Sequence, residues 1–145
     1  MSPESVAETL RNQGLKVTPR RLAAARLLFE SGRAMTPEEV RERLRPALGR
    51  LGLPTTYRIL DELAGTGLLT RVERDDRVLS YAACRAEPGR HHHHLVCTGC
   101  GRVEVVGCAF PASQRRDIER RTGFRVTGHR MQVEGLCGDC RRRGR

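Results

Sequence analysis

Two C-x-x-C pairs, Cys97-Thr98-Gly99-Cys100 and Cys137-Gly138-Asp139-Cys140, constrain this chain more than any other feature. At that spacing a tight turn points two sulfurs at one ion, and four thiolates at ~2.3 Å close a tetrahedral Zn²⁺ site with no position left for catalysis. Gly99, Gly101 and Gly138 give the turns freedom to aim backbone amides at the sulfurs. Two disulfides, an Fe–S cluster or a redox dithiol are the competing readings. Disulfides need an oxidising compartment. The stretch from Met1 to Thr9 carries acids and no apolar signal core, and no apolar run reaches the ~18–20 residues of a bilayer span. The chain is therefore expected in the cytoplasm and off the membrane, with structural Zn²⁺ at Cys97, Cys100, Cys137 and Cys140.

His91-His92-His93-His94 lies just before an apolar stretch and the first cysteine pair. On a strand, alternate imidazoles face opposite ways, so His91 with His93 and His92 with His94 can feed two different metal sites. A solvated histidine run is the alternative. Imidazole suits Zn, Fe, Ni and Cu alike. Cys84, His129 and Cys108 are further candidates to complete such sites, and a Cys84 thiolate beside two imidazoles would favour Zn²⁺ over Fe²⁺ or Mn²⁺. Cys108 reads as a free thiol and receives no role.

Residues before about 64 read as four short helices with explicit start and stop chemistry. Ser2-Pro3-Glu4, Thr18-Pro19 and Thr36-Pro37-Glu38-Glu39 each offer a cap and a proline at the first helical position. Gly14, Ser31-Gly32 and Gly65 supply exits, and Pro46 is expected to weaken or end the third helix. Leu53-Pro54-Thr55-Thr56 opens the fourth, with Ile59, Leu60 and Leu63 inward. Apolar residues on either side of Arg74-Asp75-Asp76-Arg77 predict a β-hairpin over 68–83. Helices followed by a hairpin make a winged helix-turn-helix; a plain helical bundle fits the pattern as well.

After the polar stretch 84–90, with its Pro88-Gly89 turn signal, two strands are expected around the first cysteine turn. A basic helix over Gln114 to Arg121 follows, then a third strand placing His129, Met131 and Val133 on one face. The fold class is thus α+β: a winged helix-turn-helix over 1–83, a hinge over 84–90, and a small α/β domain over 91–145. That second domain has a thin core and needs metal, a partner subunit or both. The whole chain of 145 residues carries 27 Lys and Arg against 17 Asp and Glu, a formal charge of +10 that suits an anionic partner such as nucleic acid.

The runs Gly14-Leu15-Lys16-Val17-Thr18-Pro19-Arg20-Arg21, Pro54-Thr55-Thr56-Tyr57-Arg58 and His91 through Gly101, with the closing Cys137-x-x-Cys140, resemble the ferric uptake regulator family of metal-dependent bacterial repressors. The resemblance implies a winged helix joined to a dimerisation domain, a homodimer on a palindromic double-stranded operator, and a regulatory Zn²⁺ or other divalent metal between the two domains. The histidine that many members carry before the third helix is absent, since Ala34 and Met35 stand there. The pattern of the zinc-sensing branch falls on Cys84, His92 and His94, with Thr70 where an acid is usual. A second site falls on His91, His93 and His129, with Ala112 where a glutamate is usual and Glu104 nearby.

For DNA, the fourth helix is expected to contribute Thr55 and Thr56 to phosphates, Tyr57 to a thymine methyl or the backbone, and Arg58 to guanine, with Lys16 and Arg20 adding phosphate contacts. Zinc sensing is the favoured function. Iron, manganese or nickel sensing, or a zinc-ribbon interaction protein without sensing, are the alternatives. A zinc deaminase is excluded, because no Glu follows a His at the required spacing and Val96 rather than Pro precedes Cys97.

Overall fold

The computed structural model describes residues 3–73, 78–87 and 89–144. The Ser2 cap, the charged turn Arg74 to Arg77, Pro88 and Arg145 lie outside the described residues. Four helices come first, α1 (Pro3–Asn12), α2 (Pro19–Ser31), α3 (Pro37–Leu48) and α4 (Leu53–Gly65). The caps are those the sequence announces. Thr18 accepts from the Arg21 N–H, and Thr36 and Glu39 close a reciprocal capping box. Gly32 leaves α2 at φ +61, a left-handed conformation that costs glycine little.

Pro46 does not end α3. The helix runs two residues further, to Leu48, where the Gly49 N–H bonds Arg45 O. A proline this close to a C-terminus removes one bond that fraying would weaken anyway.

Strands β1 (Leu69–Glu73) and β2 (Leu79–Ala83) form the expected antiparallel hairpin, with Leu69 opposite Ala83. Leu10, Leu28, Val40, Leu60, Leu63 and Tyr81 are fully enclosed, so the helices and the hairpin share one core. Tyr81 also ties the hairpin to α4, since its hydroxyl donates to Asp61 Oδ1 at 2.7 Å.

The second half holds β3 (His92–Cys97), β4 (Val103–Gly107), α5 (Ala112–Thr122), β5 (Gln132–Gly135) and α6 (Gly138–Arg142). Its sheet runs β4-β3-β5, with β4 antiparallel and β5 parallel to the central β3. One expectation needs correction. The third strand begins at Gln132, so His129 and Met131 precede it. A short helix, α6, also grows out of the second cysteine turn, which the sequence reading did not foresee.

Among the described residues after 90, the buried side chains are His93, Val96, Cys97 and Cys140. That is too little apolar burial to hold a domain. Part of its support comes from the first half, because Val96 packs with Ala34, Val72 and Ala82 in a second cluster. The Ala34 N–H donates to Gly101 O at 2.8 Å, and Gln132 exchanges two hydrogen bonds with the Glu73 backbone. No helix among the described residues is long and apolar enough to cross a membrane.

Candidate metal centres and nucleic-acid surface

Three clusters of thiols and imidazoles arise where β3 meets its neighbours, and in each the donor atoms lie within 4.8 Å of one another.

The first is Cys97, Cys100, Cys137 and Cys140. β3 ends in a tight knuckle: the Cys97 N–H bonds Arg102 O, and the Gly101 N–H returns to Cys97 O, each at 2.8 Å. The knuckle meets the turn that opens α6. Cys100 Sγ lies 3.8 Å from Cys137 Sγ, and two sulfurs on one tetrahedral zinc stand about 3.8 Å apart. The Cys137 N–H donates to Cys97 Sγ at 3.2 Å.

Burial opposes ionisation of the Cys97 thiol, but the N–H groups of Cys137, Cys100 and Gly99 outweigh it and draw the thiol below its ordinary range. Cys140 is pushed up by burial and by hydrogen bonds to the other three thiols. A divalent cation would resolve that conflict by holding all four as thiolates. Gly99 makes the approach possible, since a Cβ there would stand 2.9 Å from Cys140 Sγ.

The second cluster is Cys84, His92 and His94. Cys84 directly follows the hairpin, its N–H fixed to Leu68 O at 3.0 Å, and its sulfur lies 3.3 Å from His92 Nε2. His92 Nδ1 sits 2.7 Å from Arg90 O, which places the proton on Nδ1 and leaves the Nε2 lone pair facing the thiol. His94 Nε2 is buried without a hydrogen-bond partner, an arrangement that costs free energy unless something occupies its lone pair. Burial first, then His92 and His93, push the His94 pKa down to about 4, so the ring is neutral and able to ligate at neutral pH.

The third cluster gathers His91, His93, His129 and, unexpectedly, Cys108. Neither Ala112 nor Glu104 joins it; Glu104 instead pairs with Arg102. Burial first, then His91 and His129, lower the pKa of His93, which is 2 % exposed.

On α4, Arg58 is exposed while Thr55 and Tyr57 are half-buried. Thr56 departs from the expectation. It is buried, and its hydroxyl donates to Gly52 O at 3.1 Å, so it packs the helix start and has no hydroxyl to spare for a phosphate. Lys16 and Arg20 are exposed around the start of α2. Arg45 and Arg50, also exposed, line a groove with Gly52 at the start of α4; the sequence alone did not single them out.

Residues 12–134 match the model of the ferric uptake regulator family. The chain belongs to the ferric uptake regulator family. It is therefore a metal-responsive transcription regulator and not an enzyme. Within the family, it is 30% identical over 135 residues to a ferric uptake regulation protein of Legionella pneumophila, covering 92% of this chain and 97% of that one. It is 32% identical over 142 residues to the peroxide-responsive repressor PerR of Staphylococcus aureus, covering 94% and 89%. In fold it matches a zinc uptake regulator solved with zinc and DNA, with a TM-score of 0.78, 22% identity, and 98% and 94% of the two chains covered. It also matches a ferric uptake regulator from Pseudomonas aeruginosa solved with manganese, with a TM-score of 0.57, 28% identity, and 95% and 99% covered.

Proposed function

We propose that the chain is a homodimeric, zinc-dependent repressor of metal-homeostasis genes that reads a palindromic duplex operator. The observation that carries the metal is the Cys84, His92, His94 cluster. One thiol and two imidazoles meet there, with no carboxylate joining them among the described residues. Such a set suits Zn²⁺ better than Fe²⁺ or Mn²⁺. The names of many relatives favour iron, but an iron site of the usual hard kind would want the carboxylate that Thr70 does not supply.

In this reading residues 1–83 bind DNA, 84–90 are the hinge and 91–145 carry dimerisation. Cys97, Cys100, Cys137 and Cys140 hold a structural Zn²⁺, worth ~10 kcal/mol or more of apparent folding free energy to a domain with almost no core. Cys84 belongs to the hairpin side of the hinge, and His92 and His94 to β3. These three can share an ion only while hairpin and sheet keep one spacing, so binding favours that inter-domain arrangement by its differential affinity.

Arg58, Tyr57 and Thr55 present the start of α4 to the major groove. Lys16 and Arg20, joined by Arg45 and Arg50, face phosphates. Agreement in fold with a regulator solved with zinc and DNA supports that placement. Exposed Ile118, Phe124, Val133 and Leu136 and the open edges of β4 and β5 offer a second copy an apolar face to cover.

The test is a metal titration with operator binding as readout, comparing Zn²⁺, Fe²⁺, Mn²⁺ and Ni²⁺ on protein that keeps its four-cysteine zinc. Zn²⁺ should switch binding on at the lowest free concentration, and Cys84→Ser should abolish that response while leaving the dimer intact. An unchanged zinc response in Cys84→Ser would overturn the hinge assignment.

A further inference from the structure

Cys108 lies in the connection between β4 and α5, and His129 in the connection between α5 and β5. The fold brings both to the side of the sheet where His93 of β3 and His91, just before the strand, lie. Donor atoms converge there on a single point: His129 Nε2 is 3.0 Å from His91 Nε2, 3.0 Å from His93 Nε2 and 3.3 Å from Cys108 Sγ. Around one tetrahedral zinc, two imidazole nitrogens stand about 3.4 Å apart, and a nitrogen and a sulfur about 3.6 Å.

Hydrogen bonding alone serves this packing poorly. Three Nε2 atoms meet, and a neutral imidazole brings either one proton or one lone pair through that atom. His129 Nε2 offers one proton or one lone pair to three close partners, so it can make one well-directed hydrogen bond and leaves the other two contacts without one. A cation at the centre satisfies all of them. The surroundings hold the ligands in place: His93 hydrogen-bonds the Met131 backbone, and the Phe110 ring lies 4.6 Å from the His129 ring, centroid to centroid.

We propose that Cys108 is a metal ligand that completes, with His91, His93 and His129, a three-histidine, one-thiolate site for a borderline-soft divalent cation such as Zn²⁺. The thiolate stands in for the carboxylate that Ala112 lacks. It moves the site's preference away from Mn²⁺ and Fe²⁺. Its ligands also bracket α5, a helix with no buried residue, and would staple both ends of that segment to β3. This extends the metal-responsive reading above to another ion. Its test reads ligation rather than operator binding, so either can fail alone.

The experiment titrates Co²⁺ into the full-length protein carrying Cys84→Ser, which removes the hinge thiolate, after checking that one zinc per chain is retained. The expected result is a near-ultraviolet sulfur-to-cobalt charge-transfer band saturating at one Co²⁺ per chain. Adding Cys108→Ser should remove that band at equal zinc retention. Adding Cys108→Asp instead should keep cobalt binding and its visible absorption but not the charge-transfer band, which separates lost ligation from lost fold. A band of unchanged intensity without Cys108, or no Co²⁺ bound by the Cys84→Ser protein, would overturn the proposal. Neither outcome depends on whether Cys84 controls DNA binding.

Discussion

The Thr70 hydroxyl lies 3.5 Å from His94 Nδ1, on the opposite edge of the ring from the buried, unpartnered Nε2. In the proposed hinge site, Thr70 is thus placed to fix the tautomer of His94 rather than to ligate. An orienting partner of this kind is worth 10–100-fold in metal affinity at carboxylate strength, and this contact is at the long limit of a hydrogen bond. Thr70→Val should weaken Zn²⁺ binding at the Cys84 site by up to about tenfold. Thr70→Asp, which presents a carboxylate to Nδ1, should tighten it. Competition against a chromophoric chelator reads both, and equal affinities across the three proteins would remove Thr70 from the site.

Gly99 sets how closely the two cysteine turns can approach. A methyl group there would press on both Cys140 Sγ, at 2.9 Å, and Cys140 Cβ, at 3.1 Å. Because φ at Gly99 is not in the left-handed region, the penalty of Gly99→Ala comes from this contact and not from backbone strain. The variant should lose its four-cysteine zinc to chelator faster than the parent and melt lower, while Gly107→Ala, with open space around it, should not. Cys97→Ser should cost the fold of the second domain outright. A native thermal transition and dimeric mass in that variant would refute the structural role.

Tyr81 is fully enclosed, and its hydroxyl reaches Asp61, which also binds Arg71. Burial first, then the bond to Asp61, push the phenol up to about 12. The folded chain therefore holds that proton more tightly than the unfolded one. Its stabilising contribution is complete below about pH 10 and is lost as pH rises through about 12. Tyr81→Phe should cost about 1 kcal/mol in denaturant at neutral pH and remove a late step from the alkaline absorbance titration. A variant with the same titration curve as the parent would show the late step to belong elsewhere.

The first half was legible because its signals are local: a cap, a proline at the first turn, a glycine at the exit. Pro46 misled only because its cost depends on how much helix follows. Thr56 could have been placed correctly, since with Ile59, Leu60 and Leu63 it falls at i, i+3, i+4 and i+7 and so belongs to the inner stripe. The four cysteines and both histidine pairs were legible from spacing and strand alternation. Cys108 was not. It stands alone in a loop, 21 residues from His129, and only the packing of two connections against β3 brings them together. The alternation of His129, Met131 and Val133 reads the same in an irregular segment as in a strand, which is why β5 was begun too early.

On the DNA surface the two kinds of contact can be told apart by what their loss does. Arg58 is exposed on α4 and is the one side chain of its helix start with the fork geometry for a guanine edge. Arg58→Ala should therefore cost about 1–3 kcal/mol on the operator and much less on mismatched duplex, flattening specificity at one position of each half-site. Lys16, outside α4, offers a point charge. Lys16→Ala should weaken every duplex alike and lower the slope of log affinity against log salt by about one. Fluorescence anisotropy with operator and scrambled duplexes over a range of salt concentrations distinguishes them. If Arg58→Ala weakened both duplexes equally, Arg58 would be a phosphate contact, and base reading would pass to Tyr57 and Thr55 on the same helix.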